Sequence, residues 1–229
     1  MPSANVRAWR QLIEYRTRLV AKRTRAKNSI RSLLRSLGIP SPTTFGLWSQ
    51  QGIRWLEKLD FPNELYGMRR DLLIDELQMF NEQIHRAEKQ LERFSVNNPA
   101  VALLKTIPGV GIRTAEAMVA YLDDPQRFRT SKSVGSYFGL VPSQDQSGSM
   151  NRLGHIPREG PPTARKLLTE AAWQGVRRSP TIQRHFERIH QGHKDRKKIA
   201  LVATAHYLAR VMHAMLRKGE AWKERNIAA

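Results

Sequence analysis

A chain of 229 residues with 39 Lys+Arg against 20 Asp+Glu carries a formal charge of +19, and a charge of that size points to a polyanionic partner, DNA or RNA before any other. The absence of cysteine excludes disulfides and cysteine-ligated zinc and fits a cytoplasmic protein. No apolar run approaches the roughly 18 residues of a membrane span, and the N-terminus lacks a signal-peptide core, so no membrane partner is expected. The charge is unevenly spread. Residues 1–40 carry +9, 41–97 carry −2, 98–150 carry +1 and 151–229 carry +11. Two basic blocks flanking a near-neutral middle predict two separate nucleic-acid surfaces.

In chain order, residues 5–37 predict one long helix, closed by Gly38 and Pro40. Val6, Trp9, Leu12, Ile13, Leu19, Val20, Ile30, Leu33 and Leu37 form its apolar stripe. The opposite face is almost wholly basic, and Lys22, Arg23, Arg25 and Lys27 are its candidate phosphate contacts. Residues 43–60 read as short helices broken by Gly46, Gly52 and Pro62. Asn63 can cap a second long helix to about Phe94. Its Leu73, Leu77, Phe80, Ile84, Ala87, Leu91 and Phe94 follow the alternating spacing of a coiled-coil seam. That seam can close on the first helix as an antiparallel hairpin or pair two chains. Polar Asn97-Asn98 and Pro99 mark a boundary, giving a coiled-coil region over 1–97 and a second domain over 98–229.

The second domain opens with Lys105–Leu122, read as helix, Pro108-Gly109-Val110-Gly111 turn, helix. Two glycines permit positive φ, and the next helix offers unpaired amides beside them. This is a helix-hairpin-helix pattern over 103–122, with Gly109, Gly111, Arg113 and Thr114 as candidate phosphate contacts. Ser131 can cap a short helix through Phe138. Residues 141–160 form a polar, glycine-rich loop or short β-hairpin. Helices follow over 162–178, 180–192 and about 195–218, the last expected to bury Ile199, Val202, Ala203, His206, Val211 and Met215. The fold class is mainly α.

Carboxylates, histidines and one serine are the groups that could carry chemistry. Metal-dependent nucleases need converging carboxylates, and Asp123-Asp124 with Asp145 make no convincing cluster. His190 and His193 sit at a helix end beside Lys194 and read as surface groups. His206, on an apolar face, reads as a satisfied core histidine. Ser147 precedes Gly148 in the polar loop, with Arg152, His155, Arg158, Arg165 and Lys166 downstream. A serine needs a base or metal to activate it and cations to stabilise developing charge. Those cations are present, the activator is not evident, and read alone a Ser-Gly pair is a turn.

From about residue 99 onward the chain resembles the insertion sequence 110/116/902 family of transposases, the bridge-RNA-guided DEDD-type recombinases. The runs that carry the resemblance are IPGVGIRTAEAMVAYLDDPQRF, SVGSYFGLVPSQDQSGS, RLGHIPREG and RKKIALVATAHYLARVMHAMLRKGEAW, with Lys197 and Lys198 opening the last helix. RTRLVAKRTRAKNSIRSLLRSLG is similar to the family's first coiled-coil helix. The resemblance implies that Ser147 attacks a DNA phosphodiester to form a phosphoserine link. It implies a separate RuvC-like domain whose acids hold Mg²⁺, and that domain is not seen here, so no cofactor is expected in this chain itself. It also implies DNA and a guide RNA as partners, a homo-oligomer built through the coiled coil, and a bacterial, nucleoid-associated setting. Pro161-Pro162 departs from the family, where a small polar residue follows the glycine. The other reading is a non-catalytic DNA- or RNA-binding protein that uses the hairpin motif and basic helices.

Overall fold

The structure is a computed structural model that describes residues 2–147, 150–157 and 159–224, with only the backbone described over 145–147 and 150–153. The described residues are mainly helical and form two compact units, one of residues 12–91 and one of residues 1–11 with 92–229.

The first unit is built on α1 (Ala4–Ser36), α2 (Gln50–Glu57) and α3 (Glu64–Ser95). Arg16 Nε donates to Glu88 at 2.9 Å and Arg23 to Asn81 at 3.3 Å. Seven residues forward on α1 is seven back on α3, so the two helices run antiparallel and fill the seam within one chain. The buried line on α3 is Ile74, Leu77, Ile84, Ala87 and Leu91. Leu73 is only partly buried and Phe94 is 57% exposed, so the seam is turned by one residue from the predicted one at its start and leaves Phe94 outside. Ile30 and Leu34 of α1 meet Leu47, Leu56, Ile74 and Leu77 in a core at the hairpin's closed end. Between residues 43 and 60 only α2 is helical, capped by Ser49, whose hydroxyl accepts from Gly52 N. Asn63 caps α3 through Leu65 N at 2.8 Å, as its side chain predicts.

The second unit packs α4 (Pro99–Leu104), α5 (Ile112–Leu122), α6 (Ser131–Tyr137), α7 (Pro162–Val176) and α8 (Pro180–His190) around or beside α9 (Lys197–Lys218). A 3-10 turn at Lys194–Arg196 leads into α9. Asn98 caps α4 by accepting from Ala100 N and Val101 N. The α6 cap is Thr130 rather than Ser131, in a reciprocal box with Ser133. Pro162 stands at the first turn of α7, where a missing N–H costs nothing.

The face of α9 that enters the core differs from the predicted one. It is Ala200, Thr204, Ala205, Leu208, Ala209, Met212, His213 and Met215. Ile199 is 64% exposed, and Val202, Ala203, His206 and Val211 are only half-buried. The small side chains on this face allow close packing of α9 on α7, whose buried residues include Ala164, Ala171 and Ala172. His213, not His206, is the satisfied core histidine. It is fully buried, its Nε2 donates to the Pro125 carbonyl at 2.9 Å, and its Nδ1 accepts from Ser131 Oγ at 3.3 Å. By length and composition the stretch Lys194–Lys218 could cross a membrane, contrary to the sequence expectation. Its contacts with α4, α6, α7 and α8 account for that apolarity as a core helix.

Candidate nucleic-acid interface

Four features carry the predicted site residues. The first is the turn between α4 and α5. Val110 N donates to the Ile107 carbonyl at 3.0 Å, with Pro108 and Gly109 between them and Gly109 at φ +91°. This is the residue pattern of a type II turn. The two glycines do different work. A Cβ on Gly109 would lie 2.5 Å from Gly175 N, so this glycine is required for the approach of α7. Gly111 caps α5 with φ −84° and no side-chain hydrogen bond, and a Cβ there would meet nothing within 4 Å. Gly111 is exposed at the start of α5, where the first-turn amides lack intrahelical partners. Thr114 is buried. The Arg113 guanidinium pairs with Glu116 at 2.8 Å, whose carboxylate side chain is 1% exposed. Arg113 thus neutralises a buried charge, a task that leaves it less able to serve a phosphate.

The second feature is an antiparallel ribbon, β1 (Gln144–Ser147) with β2 (Met150–Leu153). Ser147 ends β1, opposite Met150, and Arg152 lies opposite Asp145. The side chains of Ser147 and Arg152, and the whole of Arg158, lie outside the described residues. At its base, Ser143 N donates to the His155 carbonyl at 3.1 Å and Gly154 N to the Ser143 carbonyl at 2.8 Å. The segment carrying the ribbon is pinned at both ends. A Cβ on Gly139 (φ +61°) would meet the Glu159 carbonyl at 2.0 Å, and one on Gly160 (φ +78°) would meet that of Tyr137 at 2.1 Å. Arg165 of α7 donates to the carbonyls of Phe138, Glu159 and Gly160. Arg165 is therefore a clamp that fixes where the ribbon leaves the helices.

The third feature is a cleft of about 1150 Å³ beside this clamp, between α7, α9 and the strands' flanking segments. It brings together His155, Arg165, Lys166 and Lys198, which lie far apart in the chain. Its wall includes Ile199, Val202, Ala203 and His206, the α9 face that the sequence assigned to the core. Lys198 and His155 are exposed, and Lys166 sits 3.9 Å from Glu170 at the surface. Lys197 is turned over Trp173 at 4.9 Å, outside the cleft lining. His206 is the residue the sequence misassigned. Its Nε2 is shielded from solvent and has no hydrogen-bond partner. Desolvation, and then the charge of Arg210, hold its pKa below the usual histidine value, so the ring is neutral at pH 7. The only signal available in the sequence was its place on the same face as Lys198 and Val202.

The fourth feature lies by itself in the first unit, on α1. Lys22 and Arg25 are exposed, while Arg23 and Lys27 are half-buried. Lys22 lies over Phe80 at 6.0 Å, and Lys27 and Arg31 lie over Trp48 at 5.0 and 5.2 Å. Desolvation, with the charges of Arg23 and Arg31, lowers the Lys27 pKa. Among the described residues no three His, Asp or Glu side chains converge as a metal site.

These observations define a strongly basic, mainly helical protein with a cationic cleft at the root of a short β-ribbon. Residues 101–187 match the model of the transposase IS116/IS110/IS902 family. The chain is 30% identical over 221 residues to a "Probable family 20 transposase" of Pseudomonas aeruginosa, covering 93% of this chain and 64% of that protein. It is 33% identical over 170 residues to the "Transposase for insertion sequence element IS1111A" of Coxiella burnetii, covering 70% of this chain and 44% of that one. A "Pilin gene-inverting protein" of Moraxella lacunata is 30% identical over 130 residues, 56% of this chain and 40% of the relative. The chain is similar to the IS116/IS110/IS902 transposase family over these stretches. It spans less than two thirds of the length of each of these relatives.

Proposed function

We propose that this chain acts in DNA transposition or recombination, binding DNA through the α5 turn and the cleft, with Ser147 as the nucleophile. The observation that carries this reading is the cleft. It gathers Lys166, Lys198, His155 and neutral His206 at the root of the ribbon on which Ser147 stands. The relatives' names, transposase and gene-inverting protein, support the reaction class.

In the reaction, the Ser147 oxygen forms a bond to phosphorus while the bond from phosphorus to one sugar oxygen breaks. The serine proton passes to a base, and the freed sugar oxygen takes up a proton. Lysines near the phosphate stabilise the charge that develops on its oxygens. The described side chains do not fit a divalent-metal site, so no step is assigned to Mg²⁺ here. A RuvC-like domain carrying Mg²⁺ and a guide RNA are further partners in this reading. A homo-oligomer is supported by a second apolar stripe on α3. Leu65, Met68, Leu72 and Met79 follow heptad spacing and are 66%, 61%, 57% and 44% exposed.

The test is a denaturing gel. End-labelled element DNA is incubated with the chain, Mg²⁺ and a RuvC-like domain supplied separately. A protein–DNA adduct is expected with the wild type and none with Ser147→Ala. An adduct that survives the substitution rejects Ser147. Salt-dependent binding without any adduct leaves the chain as a non-catalytic DNA- or RNA-binding protein.

A further inference from the structure

A second cleft, of about 540 Å³, lies between α8 and α9 and is lined by Arg184, Arg188 and Arg210 with no carboxylate among its lining residues. All three arginines are exposed. The acid of this stretch of α8, Glu187, is engaged elsewhere by Gln183 Nε2 at 2.7 Å. The floor is aromatic, with His185 and Tyr207 stacked at 4.4 Å and 19°. His185 holds its place by a hydrogen bond to the Ala203 carbonyl of α9. Its Nδ1 lies 3.4 Å from Arg188 Nη2. Desolvation first, and then Arg188, lower the His185 pKa. A neutral ring can accept from Arg188 through Nδ1 while donating to Ala203. His185 is thus a positioning residue for that guanidinium.

This cleft and the one beside the ribbon are both lined by α9. Ala203 and His206 line the first cleft, and the next residue, Tyr207, lines the second. From Lys198 to Arg210, α9 rises about 18 Å, the length of about five nucleotides of one duplex strand at ~3.4 Å each. Lysines stand at one end and three arginines at the other. A single small anion has no use for such a run, whereas a polymer of phosphodiesters does.

We infer that one nucleic-acid strand leaves the ribbon cleft along α9 and that Arg184, Arg188 and Arg210 hold its phosphates in the second cleft. The inference rests on the DNA-binding reading above and adds the path of the strand beyond the reacting phosphodiester. It assigns these arginines to backbone grip, with no role in reading bases.

The experiment titrates the full chain with a fluorescein-labelled 30-base-pair duplex by anisotropy at several salt concentrations. Wild type, an Arg184→Ala/Arg188→Ala/Arg210→Ala variant and the matching triple Lys variant are compared. The Ala triple is expected to bind roughly tenfold or more weakly, and its plot of log Kobs against log salt is expected to be shallower by about two to three. The Lys triple is expected to keep the wild-type slope, because charge is what releases counterions. An Ala triple that keeps wild-type affinity and slope overturns the inference and leaves the DNA-binding reading standing. A Lys triple as shallow as the Ala triple also overturns it, because packing rather than charge would then be at work. A wild-type chain that does not bind the duplex overturns both.

Discussion

Two glycines two residues apart show how one residue type meets different physical demands. Gly109 sits at φ +91° with α7 backbone where a Cβ would be, while Gly111 sits at φ −84° in open space. Gly109→Ala adds left-handed strain to an overpacked contact, each costing about 1–3 kcal/mol. Gly111→Ala loses only a favourable cap, about 1 kcal/mol or less. Urea unfolding should therefore show a loss of at least about 2 kcal/mol for Gly109→Ala and a near-native midpoint for Gly111→Ala. Of the pair, only Gly111 is a clean position for probing DNA contact. Arg113 and Arg165 teach the same lesson. Both read as free cations in sequence, yet one balances buried Glu116 and the other clamps three carbonyls. Their partners are set by a helical turn of three residues in one case and by the close approach of two glycine corners in the other. Only the first was within reach of a spacing argument.

Among the elements, the segment after α9 does work that its composition does not announce. Gly219 ends the helix at φ +70°. The chain then folds back so that Trp222 N donates to Thr106 Oγ1 at 3.0 Å and Glu224 Oε2 accepts from Thr181 N at 3.2 Å. Desolvation alone would raise the Glu224 pKa. Hydrogen bonds from Ser179, Thr181 and Trp222 outweigh it and hold the carboxyl down to about 2. A depressed carboxyl stabilises above its unfolded value of 4.5, and that stability is lost as pH falls from there through about 2. Trp222 emission, taken as wild type minus Trp222→Phe, should report undocking in this acid window. Glu224→Gln should remove the acid transition and give the undocked signal at pH 7. An unchanged profile in that variant would mean that Glu224 does not hold the tail.

For the whole molecule, the two long helices of the first unit satisfy one seam internally and leave a second apolar stripe on α3 exposed. If that stripe joins two copies, the wild-type chain should sediment above monomer mass at micromolar concentration. Met68→Glu/Leu72→Glu should shift it to monomer without loss of helicity, because both side chains are exposed. A wild-type chain that sediments only as monomer would remove the coiled-coil oligomer from the proposal. Much of this architecture is legible in short stretches of the chain. Helix starts at Asn63, Asn98 and Pro162, the turn at Pro108–Gly109, the ribbon region and the basic ends all follow from local chemistry, which acts over a few residues. Which face of each helix is spent on the core is set by packing between helices. On α9, Ile199, Val202, Ala203 and His206 line a cleft, while Ala200, Thr204, Ala205, Leu208, Ala209, Met212 and His213 fill the interior. That outcome depends on how closely α7 can approach, a property of two helices together. The cleft, the clamp at Arg165 and the arginine cleft depend on residues far apart in the chain, and no periodicity within one segment encodes their meeting.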